Sequence, residues 1–202
     1  MRGRTLTSVI PAGPPEAPAE FVRALRSLRG VDLRSEVHLE EVPGPARIAP
    51  YSAALTADVR ATRRDPDAPE LASGRFVVLF DPDGQEAWDG SFRLVTLVRA
   101  TLEPEVGADP MLGEVAWSWF ADALASAGLD AHAAGGTVTR VLSQSFGALD
   151  ERPELVELEM RASWTARDED LGVHLRAWGT LLCTIAGLPP LPDGVVPLGR
   201  RR

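Results

Sequence analysis

The stretch GEVAWSWFADALASAGL, residues 113–129, decides how this chain folds. It sets three rings, Trp117, Trp119 and Phe120, within four residues of a chain that is only 6% aromatic, so the cluster needs an explanation. The rings are either the walls of a ligand cage or the buried side of a helix. At about 100° per residue, Glu114, Ser118, Asp122 and Ser126 form one polar stripe, while Val115, Trp119, Phe120, Ala123, Leu124 and Ala127 cover much of the rest. Trp117 and Trp119 stand about 200° apart on such a helix and cannot face one another across a ligand. They flank an apolar arc centred on Phe120 and Leu124. The spacing predicts a helix lying on a sheet.

Upstream, a first helix is predicted in PAEFVRALRSLRG (18–30), where Phe21, Leu25 and Leu28 share a face and Gly30 ends the run. The period then drops to two. Leu33, Val37 and Leu39 alternate with Arg34, Glu36, His38 and Glu40, and Tyr51, Ala53, Leu55, Ala57, Val59 and Ala61 alternate with a polar set. GRFVVLF (74–80) is apolar on both faces and reads as a central strand. DPDG (81–84) has the chemistry of a type I turn closing a hairpin, and GSFRLVTLVRATLE (90–103) is the longest strand candidate.

Downstream, TVTRVLSQSF (137–146) and ELVELEMRASWTA (154–166) read as two more strands. The second places Val156, Leu158, Met160, Ala162 and Trp164 inward without interruption. A last helix carries His174, Leu175, Trp178, Leu181, Leu182 and Ile185 on one side and stops at Gly187. The order is α-β-β-β-β-α-β-β-α. Consecutive strands without intervening helices pair antiparallel, so the fold class is α+β, with about six mainly antiparallel strands covered by helices. We expect one such domain over 19–192, between an N-terminal tail of 1–18 and a C-terminal tail of 193–202.

Composition removes several functions. The formal net charge of −8 offers no basic surface to a nucleic acid or an anionic membrane. The chain has no Lys, which excludes Schiff-base catalysis by the protein and a GxxxxGK phosphate loop. Cys183 is the only cysteine, so no internal disulfide can form and a cysteine-rich zinc site is excluded. No stretch is long and apolar enough to cross a membrane, and the start lacks a signal-peptide pattern, so the expected compartment is the cytoplasm.

Candidate chemistry is sparse. Glu36, His38 and Glu40 line up at a spacing of two but read as a solvated strand face rather than a metal site. His174 falls among apolar residues at helical spacing and reads as a packed histidine. The arginines are harder to place. Arg140 shares a strand face with Val138, Leu142 and Phe146, and Arg93 and Arg99 share one with Val95 and Leu97. A guanidinium set among apolar neighbours needs a carboxylate, a carbonyl or an anionic ligand. Either these arginines pair internally, with Glu103, Glu105 or Glu159, or Arg93, Arg99 and Arg140 line a concavity on the sheet that binds a ligand or partner.

DPDGQEAWDGSFRLVTLVRATLEPE, DPMLGEVAWSWF, GGTVTRVLSQSFG, RASWT and HLRAWGTLLCTIAGLPP together resemble the actinobacterial domain-of-unknown-function family numbered 3000, over about residues 20–192. The resemblance implies a cytosolic protein and assigns no activity, cofactor or site residue. The expected function is a non-catalytic protein-binding or regulatory module whose partner is another protein or a second copy. The alternative is a small-molecule-binding enzyme with an arginine-lined site for a small anionic ligand. No metal and no cofactor is expected in either case.

Overall fold

A computed structural model describes residues 17–61, 68–107, 109–151 and 153–190. Residues 1–16 of the expected N-terminal tail and the whole expected C-terminal tail, 193–202, lie outside the described residues. Helix α1 (Ala19–Ser27) leads into β1 (Val37–Val42), β2 (Tyr51–Arg60), β3 (Glu70–Gln85) and β4 (Gly90–Leu102). A single turn, α2 (Pro104–Gly107), precedes α3 (Leu112–Ser126), and β5 (Gly135–Ser143), β6 (Leu155–Ala166) and α4 (Leu171–Ile185) complete the order. The six strands form one sheet in the order β1-β2-β3-β4-β6-β5, antiparallel throughout. The fold is α+β, as the alternation of periods predicts, with α2 as an element that the sequence pattern does not announce.

The helices lie on one face of this sheet. Phe21 of α1 stacks on Phe80 of β3, Phe120 of α3 meets Trp164 of β6 edge-on, and Trp178 of α4 packs against Phe76. The phase predicted for α3 holds residue by residue. Phe120, Ala123 and Leu124 are buried, Glu114, Ser118, Asp122 and Ser126 are exposed, and Trp117 and Trp119 sit half-buried on either flank. The arc binds a sheet and not a ligand.

Polar groups in this core are satisfied. The buried Thr96 hydroxyl accepts the Trp178 indole N–H at 2.7 Å and donates to the Arg75 carbonyl at 3.0 Å. The Trp164 indole N–H donates to His174 Nδ1 at 3.0 Å. His174 is 3% exposed, and burial lowers its pKa against the opposing pull of Asp168 and Asp170. Held as an acceptor at Nδ1, it is a packed, neutral histidine.

Two local expectations change. DPDG does not close the β3–β4 hairpin. Pairing breaks between Phe80 and Gln85 and resumes at Gln85 opposite Gly90, so DPDG is an irregularity within one arm. Pro82 has no N–H for the ladder and Gly84 takes φ +72°, while Asp81 accepts from the Asp83 amide and the Gln85 side chain. The chain reverses at Glu86–Trp88, a 3-10 turn ended by Asp89 at φ 51°. β3 is therefore 16 residues long and exceeds β4, which has 13.

Among the described residues, the second face of the sheet carries no helix. Ala54, Val77 and Leu79 are buried there, with Val42, Ala49, Trp88 and Val95 packed around them. The β1–β2 connection folds over this small cluster. Ser52 donates to the Pro45 carbonyl and Arg75 to the Pro43 carbonyl. No helix of the described residues is long and apolar enough to cross a membrane.

Candidate partner-binding edge

The three arginines singled out by the sequence do not converge. Residues opposite one another in an antiparallel ladder share a face. Arg93 lies opposite Thr165 and Arg99 opposite Glu159, which puts both on the helix-free face. Arg140 lies opposite the buried Leu158 and so belongs to the helix-covered side.

Each guanidinium has a different partner. Arg93 donates to the Ala133 carbonyl, the Thr165 hydroxyl and the Ser163 hydroxyl at 2.9, 3.0 and 2.7 Å. All are neutral acceptors, and burial pushes its pKa below the ordinary arginine value. Arg99 pairs with Glu159 at 2.7 Å, and Arg161 holds the other oxygen of the same carboxylate. The hydrogen bond from Arg99, more than that from Arg161, keeps Glu159 below the usual carboxylate range. Arg140 donates to the backbone carbonyls of Gly107 and Asp109 at 3.0 and 2.8 Å. It caps the Gly107 carbonyl at the end of α2 and joins the Leu112 amide as a second donor to the Asp109 carbonyl. Of the internal pairs considered with Glu103, Glu105 or Glu159, that of Arg99 with Glu159 forms, and the partners of Arg140 are carbonyls instead.

His132 is the residue that sequence reading passes over. It sits alone ahead of the Gly135–Gly136 bend, and its only signal is that isolation. Its Nδ1 takes a hydrogen bond from Arg167 at 2.7 Å, so Nε2–H donates to Asp89 at 2.8 Å. The two described non-glycine residues with positive φ, Asp89 and Ala133, both belong to this corner. A depression of about 700 Å³ opens beside it, lined by Glu20, Phe80, Asp89, Thr165, Arg167 and Glu169. Both ring nitrogens are engaged by Asp89 and Arg167, and the line ties the β3–β4 turn to the ends of β5 and β6.

Of the remaining polar candidates, Glu36 is engaged, whereas His38 Nδ1 is buried with no hydrogen-bond partner among the described residues. Glu36 lies before β1 and pairs with Arg34, which holds its carboxyl below the usual range, while His38 looks to Asp58 at 3.7 Å. Burial pushes the Cys183 thiol up to about 11.

The most distinctive surface is the β5 edge. β5 ends the sheet order, so among the described residues one side of its backbone has no strand partner. Its β-branched Thr137, Val138, Thr139 and Val141 favour extended backbone, and Val138 alone among its nine residues is more than lightly covered. Of eight large apolar side chains exposed among the described residues, all but Ile48 belong to α2, the turn before α3, or the β5–β6 hairpin. Phe146 is 78% and Leu142 54% exposed, beside Val106, Met111, Leu149 and Leu155. Arg140 holds α2 against β5, and Gly107 sits directly over Val156, the partner of Leu142, which places the two groups side by side.

Fold and edge together define a helix-backed antiparallel α+β domain with one open, apolar sheet margin. The chain belongs to a family of proteins of unknown function, DUF3000, whose model matches residues 17–196. No curated protein and no solved structure matches it.

Proposed function

We propose that this protein is a binding module that takes up another protein at the β5 edge and the apolar hairpin beside it. The observation that carries this reading is the coincidence of an unpaired sheet edge with nearly all the exposed large apolar side chains. An unpaired strand is a template for a further strand, and clustered apolar surface costs free energy until it is covered. A cytosolic setting agrees with a chain whose one cysteine is a buried thiol. The anionic-ligand reading draws no comparable support. Arg93, Arg99 and Arg140 stand on two faces, and each has protein acceptors for its donors.

The test compares capture by the intact chain with capture by a Leu142→Ser, Phe146→Ser variant. Both positions are exposed, so the variant keeps its fold, which its unfolding curve checks. A protein retained by the wild type and lost by the variant supports the reading. Equal retention by both places the interface elsewhere.

A further inference from the structure

We infer that the occupant of the β5 edge is an extended, arginine- or lysine-bearing segment of another protein, added as a seventh strand next to β5. The inference rests on the binding-module reading and adds the chemistry of the partner. Three observations on this margin support it.

The first is the edge itself. Sheet edges are ordinarily defended by shortness, proline, lysine, bulges or inward charge. The opposite margin follows that rule, since β1 has six residues and carries His38, Glu40 and Glu41. β5 has nine residues, lacks Pro and Lys, and pairs with β6 without a register shift, and its one inward charge, Arg140, is turned to the carbonyls of Gly107 and Asp109. It is long and regular enough to template several main-chain hydrogen bonds, the mode in which an added strand draws affinity from backbone and specificity from alternate side chains.

The second is charge. Glu103 and Glu105 precede Val106, Asp150, Glu151 and Glu154 follow the hairpin turn, and Glu157 stands opposite Val141. All six are exposed, and none forms an ion pair among the described residues. Against these six carboxylates, stretches 103–107 and 143–157 contain one cation, Arg152, which lies outside the described residues. Arg140 is the cation of β5, and its donors are turned to the carbonyls of α2. An apolar patch ringed by carboxylates selects a partner that alternates apolar and cationic side chains.

The third observation decides between that partner and a second copy of this chain. A homodimer across β5 would bring together two chains of net charge −8 and set against the six carboxylates a margin that carries the same six and is itself net negative. The missing charge comes from a different protein.

The probes are two synthetic peptides with the same apolar positions, Arg-Val-Arg-Val-Arg-Leu-Arg and Glu-Val-Glu-Val-Glu-Leu-Glu, added to the full chain. Affinity is read by fluorescence anisotropy and the contact by amide hydrogen exchange. The Arg peptide is expected to slow exchange across residues 135–143. Its affinity should fall about tenfold or more when ionic strength rises from about 0.1 M to about 0.5 M. Replacing Glu105, Glu151 and Glu154 by Gln should weaken it similarly without altering the free protein's unfolding curve, and the Glu peptide should not bind. Equal binding of both peptides, or protection away from β5, overturns the inference. So does failure of the Arg peptide to bind, or protection of β5 that appears without peptide as protein concentration rises, which would make the occupant a second copy. Failure here leaves the wider reading standing as long as a captured protein still depends on Leu142 and Phe146. Loss of that dependence removes the reading itself.

Discussion

Acidification should destabilise this protein through His174. The imidazole is buried beside Trp164 and Trp178, accepts the Trp164 N–H at Nδ1, and has a pKa below its unfolded value of 6.5, chiefly through desolvation. The unfolded chain therefore binds a proton that the folded chain refuses. Stability from the neutral ring is complete above pH 6.5 and is lost as pH falls through that value toward the lower folded pKa. One proton taken up only by the unfolded state costs at most about 1.4 kcal/mol between about pH 7.5 and about pH 5.5. The chain holds two further histidines, so the quantity to measure is a difference. Urea unfolding of the wild type and of His174→Gln, which keeps an acceptor for Trp164, should show a pH slope in the wild type that the variant lacks. His174→Leu should lose a further 1–3 kcal/mol or about that at every pH, because the indole N–H is left without a partner. Identical pH slopes in wild type and the Gln variant, with unchanged m-values, would refute the assignment of a buried, neutral imidazole.

Phe120→Ala should cost about 3–5 kcal/mol by denaturant unfolding, since the ring packs between Trp117 and Trp164, while Asp122→Ala on the exposed stripe should be nearly silent. Arg140→Met should cost about 1–2 kcal/mol, the loss of two carbonyl hydrogen bonds at a partly exposed site; a loss of 3 kcal/mol or about that would mean a buried carboxylate partner instead. Gly74→Val should lower stability by about 1–3 kcal/mol, because an added Cβ would stand 2.8 Å from Leu182 and 2.9 Å from Trp178, and thermal melts would register it.

The sequence was most legible where one face of an element is buried. The alternation of β6 and the phase of α3 follow directly from burial, so period alone locates Trp164 and Phe120. β5 could not be resolved in that way. Neither of its faces is cleanly interior because it is a margin, and the mixture of Val138, Arg140 and Leu142 on one side is the signature of an edge covered only by a one-turn helix. The β3–β4 turn was misplaced because DPDG satisfies local turn chemistry, yet the ladder reforms beyond it at Gln85 and Gly90. The partners of Arg93 and His132 arise from contacts between residues 35 to 72 positions apart and leave no local pattern. Strand order is equally non-local: nothing in the alternation of β5 and β6 tells which of them lies against β4.

The most direct test of the account is amide hydrogen exchange over residues 135–143, measured on the free chain and on the chain bound to the protein whose retention depends on Leu142 and Phe146. The account predicts that β5 exchanges faster than β3, β4 and β6 in the free protein and slows by about tenfold or more on binding, with little change on the face carrying Arg99 and Glu159. Protection confined to that face, or to the depression beside His132, with β5 unchanged, would contradict it.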